Sequence, residues 1–387
     1  MDLAITGNDA FGRPMTVAVS GGRIESVRPA DRASAPADLW VFPGFIDLQV
    51  NGFGGHDLNA ADPTPEAVAG VARSLWRHGV TRFCPTICTA SHEQMTAALR
   101  AVAQACDEMD WVGRAVVGVH VEGPYISPED GPRGAHPAAH VRAPDWREVE
   151  TFQRAAGGRI RVFTLAPERP GAMELIERLS RAGIVPAIGH TAATPDDIRA
   201  AVAAGVRLST HLGNGAHATL PRHPNYIWAQ LAEDVLSASL IVDGHHLPPE
   251  VVKVMIRAKG PARCVLISDA IWLADQPPGR YEFLGSPVEL TPGGKVRLGN
   301  SGYLAGSALN LAGAVANAVR FADVGVAEAV AMASRQPAML LGRQDLGSLV
   351  PGNAADLVLA RWSPGDGPPR IVQTVVDGAV VYANGSR

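Results

Sequence analysis

The chain has 387 residues, 47% hydrophobic and 19% charged, with 34 basic against 38 acidic residues and a formal net charge of −4. That length can bury a large core in one big domain plus a small one, and the near-balanced charge excludes a basic footprint for nucleic acid. No run approaches the ~18 uninterrupted apolar residues of a membrane span, MDLAITGNDAFGRP lacks the basic and apolar regions of a secretion signal, and Cys84, Cys88, Cys106 and Cys264 form no CxxC pair or disulfide framework; a cytoplasmic chain with no membrane or nucleic-acid partner is expected.

The first forty residues alternate in short β-like runs (MTVAVSGG, RIESV, LWVFPG), and the last forty do the same (ADLVLARW, then RIVQTVVDGAVVYANG). Between them the pattern changes to eight apolar runs separated by helical segments: FIDLQV, TRFCPTI, AVVGVHV, RVFTLA, VPAIGH, VRLSTH, LSASLIVD and RCVLISD. The intervening TPEAVAGVARSLWRHG, GAMELIERLSRAG, TPDDIRAAVAAG and PPEVVKVMIRAKG all close on Gly, three of them with Pro near the start, the punctuation of helices; SHEQMTAALRAVAQACDEM opens like a capped one. Strands alternating with helices predict βαβ units and a parallel sheet, here an α/β protein with a (β/α)₈ TIM-like barrel over 44–345. The two flanking β segments, 1–43 and 346–387, are expected to combine into one small β-sandwich domain. After the eighth run, RYEFLGSPVELTPGGKVRLGNSGYLAG reads as an inserted hairpin with PGG as its turn, followed by helices in GSALNLAGAVANAVRFADVG and AEAVAMASRQPAMLLG.

In such a barrel, functional side chains sit where strands end and βα loops begin. Six of the eight runs end on carboxylates, imidazoles or amides: Asp47, Gln49 and Asn51; His120 and Glu122; His190; His211 and Asn214; Asp243, His245 and His246; Asp269. A single strand-end histidine is commonly a hydrogen-bonded structural residue, and an Asp there a helix cap; their convergence on one rim points elsewhere. Two imidazoles and a carboxylate from neighbouring strands match a catalytic metal site with three protein ligands and an open position. Glu122, His190 and His211 are the ligand candidates and Zn²⁺ the expected occupant, with Fe²⁺, Mn²⁺ and Co²⁺ compatible with the same donors. Asp269, on the last strand and so beside the first, is placed to take a proton from a metal-activated water and pass it to a leaving group.

These motifs, in this order, resemble the amidohydrolase superfamily and, within it, the N-acetylglucosamine-6-phosphate deacetylase family. The resemblance is carried by PGFIDLQVNGFGG, PTICTAS, GVHVEGPYISP, GAHP, TLAPE, AIGHTAAT, STHLGN, IVDGHH, LISDA, LAGSALNL and LGSLVPGNAADLVL, and spans nearly the whole chain. It implies removal of acetate from an N-acetyl amino sugar phosphate by a homodimeric enzyme. It places the metal on Glu122, His190 and His211, the general base on Asp269, and a contact to the acetyl carbonyl or amide on His136. Asn214, the neighbouring backbone at Gly215, His246 and Leu304 become contacts to the sugar phosphate. Arg222, eleven residues after His211, matches an arginine that reaches a phosphate in the neighbouring subunit.

Two departures bear on this. Gln49 and Asn51 replace the HxH that many superfamily members use for a second metal, which argues for one essential ion, since amides are poor zinc ligands beside imidazole. The substrate loop reads NGAHATLPRHPN: Ala216 replaces a methionine, His217 is an added histidine and candidate substrate contact, and His223 and Asn225 replace a glutamate and a glycine. PEDGPR, between Glu122 and His136, suggests a reshaped lid. The particular sugar is left open. A cyclic-amide hydrolase of the dihydroorotase or hydantoinase type shares barrel and metal but normally uses HxH and a bridging carboxylated lysine, where this chain has Glu122. A non-catalytic barrel would not be expected to keep Glu122, His190, His211 and Asp269 together.

Overall fold

The computed structural model describes residues 2–283, 285–299 and 303–384. Eight parallel strands form one sheet in strict sequence order: Phe45–Val50, Val80–Cys88, Val119–Glu122, Ile160–Leu165, Val185–Ile188, Leu208–Ser209, Ser237–Ile241 and Cys264–Ile267. The eighth meets the first where the Asp269 amide donates to the Gln49 carbonyl (3.0 Å) and the Asn51 amide to the Ala270 carbonyl (2.8 Å), closing the barrel at the rim that carries the polar residues. Each expected strand is present, and five of them (the third and the fifth to eighth) are shorter than their apolar runs, the last residues of the fifth to eighth runs leaving the ladder to become rim loops.

The interior is filled by Ile46, Leu48, Cys84, Ile241, Val265 and Ile267 on one side and Val162, Ala187 and Leu208 on the other. Leu340 and Leu341, from the end of the C-terminal helix Arg335–Leu340, pack against both groups. A larger apolar layer lies between the strands and the surrounding helices. Helix starts follow the sequence punctuation. The Thr64 hydroxyl accepts from the Ala67 amide ahead of Pro65–Trp76, and Thr194 and Asp197 form a reciprocal capping box ahead of Pro195–Ala204. The helix Trp146–Ala155, which follows Pro144 and closes before Gly157, is capped by Asp145, and Val149 and Phe152 are its buried face. The expected last helix is broken in two, Val326–Met332 and Arg335–Leu340, at Ser334.

Both chain ends supply one seven-stranded sheet, in the order Ala379–Ala383, Arg370–Val376, Leu357–Arg361, Leu39–Pro43, Leu3–Asn8, Pro14–Ser20, Arg23–Pro29. It folds over so that the Ile24 amide reaches the Asn353 carbonyl (2.9 Å) and the Ala355 amide the Gly22 carbonyl (3.0 Å). Ile5, Val17, Val19, Val41, Leu357 and Val375 are enclosed in this small sandwich. A buried ion cluster ties sandwich to barrel: Arg82, on the second barrel strand, donates to both oxygens of Asp356 (2.6 and 2.9 Å) and to Asp377 (2.6 Å). Removing the cation strands a buried carboxylate, which typically costs about 3–5 kcal/mol. Arg82→Met is therefore expected to lower unfolding stability by that amount, read as a shifted denaturation midpoint with secondary structure retained.

The insertion after the eighth barrel strand is a three-stranded antiparallel sheet rather than a single hairpin: Gly279–Phe283, Ser286–Leu290 and Val296–Leu298. The PGG turn joins the second and third strands, clamped by the Thr291 amide on the Lys295 carbonyl (2.9 Å) and the Lys295 amide on the Thr291 hydroxyl (3.0 Å). Leu284 and 300–302 of this segment lie outside the described residues. Phe283, Val288, Leu290 and Val296 give the insertion its own core together with Ile271, Leu273 and Ala305, and Ala135, next to His136, packs against it.

Candidate active site

Glu122 ends the third strand and is nearly fully buried. Its Oε1 lies 2.9 Å from His211 Nε2 and 3.2 Å from His190 Nε2, and accepts from Gln49 Nε2 at 3.0 Å. The two imidazole nitrogens are 3.1 Å apart, and His136 Nε2 is 3.2 Å from His190 Nε2. Side-chain polar atoms of Glu122, His136, His190 and His211 therefore gather in one small space, with those of Glu122, His136 and His190 all within 4.8 Å of one another. Burial opposes charge on Glu122, but its hydrogen bonds to His190 and His211 hold its carboxyl well below the usual range. Burial, reinforced by neighbouring His190, pushes His136 down to about 3, so this ring is neutral.

The donor chemistry of this cluster fits a divalent cation. His190 Nδ1 lies 2.8 Å from the Pro132 carbonyl, an acceptor that fixes the N–H on Nδ1 and leaves the Nε2 lone pair facing the cluster. That lone pair confronts His211 Nε2 and the Glu122 carboxylate, and a shared cation satisfies these three donors, while His136 Nε2, 3.2 Å from His190 Nε2, is free to present its N–H to the same spot. Separations of 2.9–3.2 Å suit ligand atoms gathered around an ion at about 2 Å.

The backbone here is unusual as well. His190 (φ 51°), His211 (φ 31°) and Asp269 (φ 49°) sit in the left-handed region, with Asp275, Asp323 and Asp377 the only other described non-glycine residues at positive φ. Left-handed geometry is uncommon for His and Asp and clusters at functional sites. It turns each side chain inward immediately after its strand. Gly215 (φ 56°) closes on the His190 ring: a Cβ there would stand 2.7 Å from Nδ1. Gly215→Ala is accordingly expected to displace His190 and to lower metal content and turnover together, checked by elemental analysis alongside the assay.

Asp269 lies on the wall of the same cavity, of about 370 Å³, next to Glu122 through the Gln49 amide that both carboxylates share. Its Oδ1 accepts from Asn51 Nδ2 (2.7 Å) and Gln49 Nε2 (3.0 Å), and burial, with repulsion from Glu122, raises its carboxyl to about 6. The amides that replace HxH thus have a positive role. Gln49 bridges the two carboxylates, and Asn51 orients Asp269 while accepting from the Cys88 thiol (3.1 Å). Cys88 is buried, and burial raises its thiol well above the ordinary value, so it is a packed thiol on the cavity wall.

Other sequence candidates divide clearly. Asn214, Gly215, His246 and Leu304 line the cavity. His246 Nδ1 is engaged by Asp243 (2.7 Å), whose carboxylate also accepts the His246 amide, leaving Nε2 for the cavity. His217 is off the wall; its Nε2 meets Glu129 of the PEDGPR loop (3.0 Å) and its Nδ1 the Tyr226 hydroxyl (3.0 Å), so the added histidine braces the loop where substrate contact was expected. Arg222 is exposed and also off its own chain's cavity wall. Asp47 is sealed between the first and eighth strands, accepting the Gln49 and Ser268 amides, and burial raises it to about 7. His120 bonds Thr164 (2.7 Å) and the Leu48 carbonyl, a neutral core histidine. Sequence reasoning gives His245 a rim position without a role and does not reach Lys295, yet both lie on the wall; the inserted PGGK turn is the available signal for the second.

The amidohydrolase family model matches residues 40–381. An N-acetylgalactosamine-6-phosphate deacetylase of Escherichia coli O157:H7 is 36% identical over 342 residues, 88% of this chain and 89% of that protein. The N-acetylglucosamine-6-phosphate deacetylase of Bacillus subtilis (strain 168) is 32% identical over 368 residues, 92% of this chain and 91% of its own. The crystal structure of N-acetyl-D-glucosamine-6-phosphate deacetylase from Mycobacterium smegmatis superimposes with a TM-score of 0.88 at 29% identity, covering 98% of this chain and 100% of that one. A match over nearly the whole chain, joined to a rim of buried imidazoles and carboxylates, means that this chain belongs to the amidohydrolase family of metal-dependent hydrolases, in its branch of amino sugar phosphate deacetylases.

Proposed function

We propose that the chain hydrolyses the acetamide of N-acetylglucosamine-6-phosphate to acetate and the free amine, with Glu122, His190 and His211 holding one essential Zn²⁺. The observation that carries this reading is the pairing of that convergent donor set with Asp269, fixed beside Glu122 by Gln49 and Asn51. A divalent metal there supplies Lewis-acid polarisation of the carbonyl and a lowered pKa for water. Neutral, buried His136 donates a hydrogen bond to the acetyl oxygen and so stabilises the charge that develops on it. Asp269, raised to about 6, takes the proton of the attacking water and returns it to the departing nitrogen, a role suited to a carboxyl poised near neutrality. His246, Asn214 and Leu304 position the sugar.

The galactosamine epimer is the second reading, favoured by the 36% identity to an N-acetylgalactosamine-6-phosphate deacetylase and by the rewritten NGAHATLPRHPN loop. We read the chain as a cytoplasmic homodimer: its four cysteines are free and buried, as suits a reducing compartment, and Arg222, off its own cavity wall, is available to a neighbouring one. The test is acetate release from both epimers, with and without the 6-phosphate, by the metal-loaded protein. Turnover of a phosphorylated epimer is expected. Hydrolysis of cyclic amides in its place would overturn the reading.

A further inference from the structure

We infer that Lys295, at the tip of the inserted sheet, is the residue by which one chain recognises the anionic group of its own substrate. Among the described residues Lys295 is the one Lys or Arg side chain on the cavity wall, in a cavity that already holds the carboxylates of Glu122 and Asp269. An anionic sugar entering such a cavity needs a cation away from those carboxylates, since like charges cost and opposite charges gain most where water is partly excluded. Lys295 is half-buried, and it has no ion-pair partner among the described residues, whereas Arg297 two positions on is paired with Glu289 (2.7 Å).

The turn that presents Lys295 is built for position. Thr291 clamps it by backbone and hydroxyl, and His245 Nε2 meets the Gly293 carbonyl at 2.9 Å, docking the tip onto the loop that also carries His246. The adjacent histidines therefore have separate roles. His245 holds the insertion in place and His246, pinned by Asp243, faces the cavity. Lys295 lines the same cavity as His246, and the His245–Gly293 contact brings its turn to the loop that carries both histidines. The insertion thus acts as a specificity element that supplies a cation in cis, independent of any contribution from Arg222 of a second copy.

This inference rests on the phosphosugar reading above, and its test separates the two. Binding of glucose 6-phosphate and of glucose to metal-loaded protein is measured by calorimetry, without turnover, for the natural chain, Lys295→Met and Lys295→Arg. Lys295→Met is expected to weaken glucose 6-phosphate about ten- to a hundredfold, the weight of one charge-assisted hydrogen bond. Lys295→Arg should recover most of that loss. In kinetics the same Met variant should raise KM for the N-acetyl amino sugar 6-phosphate by a similar factor with kcat little changed, and leave the unphosphorylated sugar unaffected. Unchanged glucose 6-phosphate affinity in Lys295→Met, or an equal loss for both sugars, would overturn the assignment. A protein that binds glucose 6-phosphate through Lys295 yet releases no acetate would overturn the functional reading alone.

Discussion

Asp269→Asn is expected to keep its metal and lose turnover by about 10²–10⁴-fold, the usual weight of a general acid–base group. The substitution is a clean probe for structural reasons. Asn tolerates the left-handed backbone that Asp269 adopts (φ 49°), and its carbonyl can keep accepting from Asn51 and Gln49. What is lost is the capacity to take and return a proton. Metal content by elemental analysis and acetate release are the paired readouts, and near-normal turnover in a metal-replete variant would remove Asp269 from the chemistry.

Glu122→Gln is expected to act the other way, on the metal first. The carboxylate is the single anionic donor of the cluster, held ionised by His190 and His211 although burial opposes its charge. Outer-shell partners alone are commonly worth 10–100-fold in metal affinity, so loss of the charged ligand should cost at least about 100-fold. The amide keeps nearly the same shape, and Gln49 can rotate to pair with it, so the fold should survive. Purified Glu122→Gln should contain little metal and show activity that returns only at high added Zn²⁺. Stoichiometric metal at ordinary concentrations would show that the ion is held elsewhere.

Much of this site is legible in the sequence because a barrel converts strand ends into neighbours. A run such as AIGHT or LISDA advertises a buried strand by its apolar residues and a rim position by the polar residue that stops it. Once eight such runs are counted, His190 and Asp269 share a rim without any knowledge of angles. Interactions between loops are less legible. Nothing in the spacing says that Gln49 and Asn51 will orient the carboxylates of Glu122 and Asp269, that His136 will come within 3.2 Å of His190, or that His217 will meet Glu129. Those pairs depend on how the loop holding PEDGPR folds back over the rim. The helix Trp146–Ala155 is hard to see in the sequence for a local reason: between Pro144 and Gly157 it buries only Val149 and Phe152, so its apolar stripe is thin. Lys295 becomes legible only when the insertion is placed in space, because a PGGK turn reads as an ordinary hairpin tip until His245 is seen to dock it.

The most direct measurement is a titration of metal-stripped protein with Zn²⁺ while acetate release from N-acetylglucosamine-6-phosphate and its galactosamine epimer is followed. A single centre at Glu122, His190 and His211 predicts negligible activity at zero metal, a linear rise, and a plateau at one equivalent per chain. Full activity in the stripped protein, or a plateau only at two equivalents, would contradict it.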